Sequence, residues 1–344
     1  MNNRRTTVGI CAAAAVLAAS LTACGSSGGD SSSAGASSDA PTTVKVSYAS
    51  AVGNEIPTWI AEEEGIFAKN GINVPNLQMI PASNGVAAVI SGGVDVADVG
   101  GGETLSAAAQ GGNVKVVATL MPVFNWKFYV KPTITSIAQL KGKKLGITKP
   151  GAGFDVGLRL ALPKMGLSPK DVTFIPTGGI ANVTAALIGG SIDGAPIIIG
   201  PDSLKLEEAG FKPIFDFADI GLPTVNSCII VGGDLANKPK VLQHYVDSIV
   251  QAIAYEKSNP EGTKKVIAKY FKTSDPALIN YTYDYYSKVV PTIPTVSADQ
   301  FADSQRILGQ TAPKVANYDL TKLIDDSFVK NAVSNAGPSV TPTK

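Results

Sequence analysis

The 344-residue chain has one histidine, His244, and three cysteines, Cys11, Cys24 and Cys228. That inventory excludes a His-containing catalytic triad and a His-based metal centre. Cysteines so few and so scattered give neither a disulfide framework nor a thiolate metal site. Cys228, inside the apolar run Cys228-Ile229-Ile230-Val231, reads as a small buried hydrophobe. No G-x-S-x-G elbow between a strand and a helix can be built for a nucleophilic serine, since Gly25-Ser26-Ser27-Gly28-Gly29 falls in a Ser/Gly-rich stretch. An excess of one charge is missing too: 29 Lys and Arg balance 28 Asp and Glu, and the basic residues are scattered. A nucleic-acid partner is therefore not expected. After the N-terminal region no uninterrupted apolar run reaches the ~20 residues needed to cross a bilayer. These absences predict a chain with no catalytic residue, no cofactor and no metal.

The N-terminus sets the compartment. Arg4 and Arg5 precede an Ala-rich apolar run at 8–19, too short to span a membrane and suited to the core of a signal peptide. The segment ends in Leu21-Thr22-Ala23-Cys24, which resembles a bacterial lipobox. That resemblance implies that residues 1–23 are removed and that Cys24 is acylated and becomes the first mature residue. The alternative is a plain secretory peptide in which Cys24 is incidental. Two or three acyl chains on one residue suffice for stable anchoring. Residues 24–42 are almost entirely Ser, Gly, Ala and Asp and read as a flexible tether. The expected location is the outer face of the cytoplasmic membrane, or the periplasm.

What the chain does have is an internal repeat. Ala87-Ala88-Val89-Ile90-Ser91-Gly92-Gly93-Val94-Asp95-Val96-Ala97 is matched by Ala185-Ala186-Leu187-Ile188-Gly189-Gly190-Ser191-Ile192-Asp193-Gly194-Ala195. Both read as a helix end, a glycine turn and a strand start, with Asp95 and Asp193 expected to fix the turn. Upstream the match continues through β-type runs at 44–47 and 145–148 and helices at 57–70 and 154–165. Glycines 71 and 166 close those helices, and strands follow at 77–80 and 172–175. Each copy is β-α-β-α-β, which predicts an α/β fold of two lobes, each a mainly parallel sheet flanked by helices. Ligands of such sheets bind at the carboxyl ends of strands, so two facing copies make a cleft. The runs at 116–120 with 124–130, and at 224–231, read as the crossings. One lobe is expected to hold residues 43–127 and 226–344, and the other 128–225. Helices at 240–257, 261–271, 275–288 and 298–309 are expected to buttress the first lobe.

Candidate ligand residues follow from the strand ends. In the first lobe they are Ser50, Ala51, Asn54, Gly101, Gly102 and Glu103; from the crossings come Asn125, Trp126, Thr224 and Asn226. In the second lobe they are Gly151, Ala152, Gly153, Phe154, Asp155, Gly178 and Asn182. Glycines permit close backbone approach, Asn and Ser offer hydrogen bonds, and Trp126 can stack on a planar group with Phe154 closing its other side. Gly151-Ala152-Gly153-Phe154-Asp155-Val156-Gly157 has its third glycine one position late for a dinucleotide fingerprint. It reads instead as a turn presenting helix N–H groups to the cleft. Asp155 and Glu103 also suit first helical turns whatever the ligand. Trp59 is expected in the core, and His244 on a partly exposed helix face. Glu103 and Asp155 together tilt the expected ligand towards a neutral, zwitterionic or amine-bearing organic molecule, with an anion held by backbone amides left open.

Four stretches in order carry a resemblance: Trp59-Ile60-Ala61-Glu62-Glu63-Glu64-Gly65-Ile66-Phe67-Ala68-Lys69-Asn70-Gly71-Ile72, Ser136-Ile137-Ala138-Gln139-Leu140-Lys141-Gly142-Lys143-Lys144-Leu145-Gly146, Asn259-Pro260-Glu261 and Leu320-Thr321-Lys322-Leu323-Ile324-Asp325-Asp326-Ser327-Phe328. With them the mature chain resembles the nitrate/sulfonate/taurine type of solute-binding proteins of ABC importers, a group with relatives that bind pyrimidine precursors of thiamine. The resemblance implies a type II clamshell that captures a small-molecule solute, partners with ABC permease subunits and the lipid bilayer, a monomer, and no chemistry. Two alternatives stand beside it: a lipoprotein presenting ligand to a sensor, and a pyrimidine-synthase-like enzyme on the same scaffold.

Overall fold

The computed structural model describes residues 40–336. The signal segment, Cys24 and the tether up to residue 39 lie outside the described residues. Strands in chain order are β1 (Thr42–Thr43), β2 (Val46–Tyr48), β3 (Ile72–Asn73), β4 (Gln78–Met79), β5 (Val96–Val99) and β6 (Val114–Met121). They continue with β7 (Trp126–Val130), β8 (Lys144–Ile147), β9 (Thr173–Pro176), β10 (Gly194–Ile198), β11 (Lys212–Asp216) and β12 (Ser227–Gly232). Thr42, expected at the end of the tether, is already paired in β1 with Ile72 of β3.

Two five-stranded sheets carry the fold, ordered β4-β2-β5-β12-β6 and β9-β8-β10-β7-β11. Written that way they correspond place by place. In each sheet four strands run one way, and β12 or β7 runs against its neighbours. The reversed strands are the exchanged ones, since β7 follows β6 in sequence but joins the second sheet, and β12 returns to the first. The repeat extends to single hydrogen bonds. Asp95 Oδ2 accepts from the Lys45 N–H at 2.7 Å, and Asp193 Oδ2 accepts from the Lys144 N–H at 2.9 Å. Each carboxylate thus ties a helix-to-strand turn to the strand beside it.

Both faces of the first sheet are apolar because both are covered. Along β12, Ile229 and Val231 enter one core while Cys228 and Ile230 enter the other, as a period of two dictates. The 20-residue helix Pro239–Ser258 buries Leu242, Tyr245, Val246, Ile249 and Ile253 against the first of these. Trp59 is fully buried there and stacks on Tyr270 at 4.5 Å between ring centroids.

The structure corrects three expectations. The stretch 57–70 is two helices, Ile56–Glu63 and Ile66–Lys69, broken where Gly65 takes a left-handed φ of 64°. The run 116–120 is no crossing but the middle of β6; the chain leaves the first sheet at Pro122–Asn125, so Trp126 and Lys127 belong with the second sheet. Finally, the C-terminal helices do more than buttress the first sheet. Helix Asp299–Gly309 packs on helix Gly101–Ala109 and also on helix Gly153–Lys164. Its Leu308 joins a core that runs through both halves.

Candidate functional site

The carboxyl ends of the two sheets enclose a cavity of about 440 Å³. Its first wall comes from the loop after β2 (Ala49, Ser50, Val52, Asn54, Glu55), from Asp98 and Val99 of β5, and from Gly100 and Glu103. Its second wall comes from Trp126 of β7, Ile198 of β10, Thr148 and Lys149 after β8, Ala152, Gly153 and Phe154, and the turn Gly178-Gly179-Ile180. The return crossing adds Asn226 and Ser227.

The two walls differ in chemistry. On the first, Glu55 and Asp98 are 2 % and 1 % exposed. Asp98 Oδ1 accepts from the Ser227 hydroxyl, and Glu55 Oε1 accepts from the Ala49 N–H at 3.3 Å. Burial, then the neighbouring Asp98 charge, pushes the Glu55 carboxyl well above the usual carboxylate range. Burial likewise raises Asp98 to about 6, despite its hydrogen bonds to Glu55 and Ser227. Like charges this close in a dry site do not both ionise, so the pair holds one proton between them near neutral pH. Glu103 is raised by desolvation, offset by its own backbone N–H and by Lys149 across the cavity. Its carboxylate folds over Gly100, whose place a Cβ would contest at 2.3 Å from Glu103 Oε2.

The second wall is aromatic and amide-rich. Trp126 is 3 % exposed and packs against Phe124, Phe154 and Phe217. Glycines make room for it: a Cβ on Gly157 would lie 2.5 Å from Trp126 Cζ3. Ala152 and Gly153 open the 12-residue helix Gly153–Lys164, and Gly179 caps helix Ile180–Ile188, so free N–H groups of two first turns lie at this wall.

Behind the cavity a hydrogen-bond network binds the crossings together. Buried Asn125 donates from Nδ2 to Asn54 Oδ1 at 2.6 Å and to Tyr286 Oη at 2.7 Å. Asn226 Nδ2 donates to Asn125 Oδ1 at 2.6 Å, and the Tyr286 hydroxyl donates to the Ile199 carbonyl at 3.0 Å. One asparagine therefore links both crossings, the loop after β2, the C-terminal helix Pro276–Val289 and the second half.

Of the residues picked out from sequence, the cavity wall brings together Ser50, Asn54, Glu103, Trp126, Ala152, Gly153, Phe154, Gly178 and Asn226. The others have structural partners. Gly101 lets the return crossing pass, its N–H donating to the Val225 carbonyl at 3.0 Å. Gly102 and Gly151 receive Leu308, whose methyls lie 3.7 and 3.5 Å from the positions a Cβ would take. Asp155 accepts from the Gly151 N–H and from Arg159 Nε, both at 2.8 Å. Asn182 Nδ2 donates back to the Thr177 carbonyl at 3.0 Å. Thr224 is buried beside Pro122, and Asn125 belongs to the network. Ala51 lies outside the wall although its neighbour Ser50 is in it. Phe154 does not face Trp126 across a gap; the rings meet edge-to-face at 4.7 Å, leaving no slot for a third.

Sequence reasoning missed Glu55, Asp98 and Ser227. A signal existed: Asp98 interrupts the buried run Val94-Asp95-Val96-Ala97-Asp98-Val99 at its carboxyl end, and a charge there has no turn to fix. Lys127 turns away to the Tyr281 hydroxyl at 3.1 Å, while Lys149 reaches the wall. Among the described residues no group of His, Cys, Asp and Glu has the makings of a metal site, and His244 is half-buried on its helix.

Two matched sheets with exchanged strands and a cavity between their carboxyl ends define the periplasmic-binding-protein fold. The alkanesulfonate-binding protein SsuA of Xanthomonas axonopodis pv. citri, bound to MOPS, superposes with a TM-score of 0.66 at 20% identity, covering 86% of this chain and 98% of that one. The nitrate-binding protein NrtA of Synechocystis superposes with a TM-score of 0.67 at 16% identity, covering 87% and 90%. The chain itself belongs to the NMT1/THI5-like family, whose model matches residues 53–263. A binding protein of Brucella abortus is 28% identical over 235 residues, 67% of this chain and 72% of that protein. A 4-amino-5-hydroxymethyl-2-methylpyrimidine phosphate synthase of Uromyces fabae is 31% identical over 156 residues, 44% of this chain and 45% of the enzyme. The match to that synthase therefore spans less than half of either chain.

Proposed function

We propose that the chain is the extracytoplasmic substrate-binding lipoprotein of an ABC importer, which captures one small organic solute between its halves and delivers it to the permease. The observation that carries this reading is the 440 Å³ cavity at the carboxyl ends of two repeated sheets, joined by two extended crossings at its back. Such crossings are hinge material: a few residues absorb the rotation while each sheet moves as a body. Solute bridging both walls favours the closed form, and the permease reads closure. The solute-binding names of SsuA and NrtA support the class, and Leu21-Thr22-Ala23-Cys24 supports the anchor. The enzyme reading draws on the partial match to pyrimidine phosphate synthases. It is the weaker one, because the cavity wall offers neither His nor Cys to work beside its acids.

Three results test the proposal. A strain lacking the gene loses uptake of the solute that co-purifies with residues 25–344, and unchanged uptake contradicts import. Cys24→Ala releases the protein from the membrane fraction, and continued membrane association contradicts the anchor. The purified chain leaves that solute chemically unchanged on prolonged incubation; turnover contradicts a pure carrier.

A further inference from the structure

Two acids that serve the fold show how a carboxylate is ordinarily held in this protein. Asp193 accepts from Lys131 Nζ at 2.7 Å and from the Lys144 N–H at 2.9 Å, and Asp155 is held by Arg159 Nε and the Gly151 N–H. The Glu55–Asp98 pair breaks that pattern. Glu55 Oε2 and Asp98 Oδ2 are dry and have no donor apart from the one proton the two acids share. The groups that face the pair are Tyr48, Tyr245, Tyr286, Ser227 and Cys228, and not one of them is a cation. Burying an uncompensated acid costs several kcal/mol when it is ionised, a cost that the fold alone gives no reason to bear. Glu256 is equally dry and unpartnered, but it does not belong to the cavity wall. What sets Glu55 and Asp98 apart is their place in the wall of the cavity, opposite an aromatic surface.

We propose that the Glu55–Asp98 pair is the selective subsite of this cavity and takes a cationic nitrogen group with several N–H donors, an ammonium, amidinium or guanidinium. The Trp126 and Phe154 side takes the apolar or aromatic remainder of the same solute. The inference rests on the solute-binding reading above. The charge balance is simple: the pair carries one proton and one negative charge, and the ligand cation neutralises that charge without any proton having to leave. The donors it brings satisfy the carboxylate lone pairs that the single shared proton leaves open. An anionic head is disfavoured at the same place, because Lys149, the cation at the wall, already faces Glu103.

The test uses benzamidine as the cationic probe and benzenesulfonate as an anion of similar size, titrated calorimetrically into residues 25–344. Wild type is expected to bind benzamidine at least tenfold more tightly than benzenesulfonate. Asp98→Asn is expected to weaken benzamidine at least tenfold, and Glu55→Gln/Asp98→Asn to abolish it, with benzenesulfonate unchanged in both. Neutral amides remove the buried uncompensated charge, so the double variant is expected to melt no lower than wild type at pH 7.5, which separates lost binding from lost folding. Benzamidine affinity in wild type should also fall about tenfold between pH 7.5 and pH 5, as the pair becomes neutral while the probe stays charged. Equal benzamidine binding by wild type and double variant, a flat pH profile, or tighter binding of benzenesulfonate by wild type each overturns the assignment. Absence of benzamidine binding overturns it as well. In that case a solute carried by the purified chain in native mass spectrometry still upholds the solute-binding reading, and its absence there removes both.

Discussion

The two halves of this protein share a plan but treat the same position differently. Val99 and Ile197 stand at equal distances after Asp95 and Asp193, and they pair with Cys228 of β12 and Lys127 of β7. The residue before each partner, Ser227 or Trp126, is therefore the same place in the two copies. In the first half it is a hydroxyl that donates to buried Asp98; in the second it is an indole edge among phenylalanines. Asp98 itself corresponds to Pro196. The backbone frame is repeated, and the cavity acquires one hydrogen-bonding wall and one aromatic wall from substitutions at matched strand ends. Under the proposed subsite, an amphiphilic solute is expected to enter such a cavity in one orientation.

The largest expected effect is on the aromatic wall. Trp126→Ala removes a buried side chain wedged between Phe124, Phe154 and Gly157, so it should cost about 3–5 kcal/mol of stability as well as affinity. From sequence alone the same change is expected to spare the stability of the empty protein; burial overturns that. Urea unfolding decides, and a loss below about 1 kcal/mol would mean that the aromatic wall is loosely packed. Asn125→Ala should cost roughly 1–3 kcal/mol, because Asn54 Oδ1 loses its donor and Asn226 Nδ2 its acceptor inside a dry network. No measurable change would show that the two crossings are not tied through that side chain. Gly157→Ala should cost about 1–3 kcal/mol, since its methyl must displace the indole, whereas Gly92→Ala, with open space but a φ of 75°, should act only through backbone strain of about 1 kcal/mol.

The smallest effect tests the repeat itself. Asp95→Ala should cost about 1 kcal/mol, the loss of one carboxylate-to-backbone hydrogen bond, and Asp193→Ala somewhat more, because the matched bond goes together with the Lys131 ion pair. Burial works to raise the Asp193 carboxyl but is outweighed by its hydrogen bonds to Lys131 and the Lys144 N–H, so it sits below its ordinary range. Its folded-state pKa is depressed, so its contribution is present above the unfolded pKa near 4 and is lost as pH falls through the folded value. Asp193→Ala should therefore flatten part of the stability decline below pH 4. A decline as steep as in wild type would deny the ion pair that role.

How much of this was legible in the sequence follows the range of the interactions. The repeat was readable because its glycine turns and aspartates act within a few residues, and the strand ends followed from the α/β alternation. Gly151 was recognisable as a turn, but Leu308, which packs over Gly102 and Gly151, arrives from a helix near the other end of the chain. Asn125 looked like a free hydrogen-bonding residue, and only the fold brings Asn54, Asn226 and Tyr286 around it. The Glu55–Asp98 pair was hidden for the same reason: each acid is ordinary alone, and their proximity is a product of β5 meeting the loop after β2.

The most direct test of the central claim is native mass spectrometry of residues 25–344 after incubation with the small-molecule extract of its own cells. One solute bound at a ratio of one to one, lost from the Glu55→Gln/Asp98→Asn variant but retained by Asp193→Ala, is the predicted result. A chain that stays empty in that extract would contradict it, as would a solute held equally well by both variants.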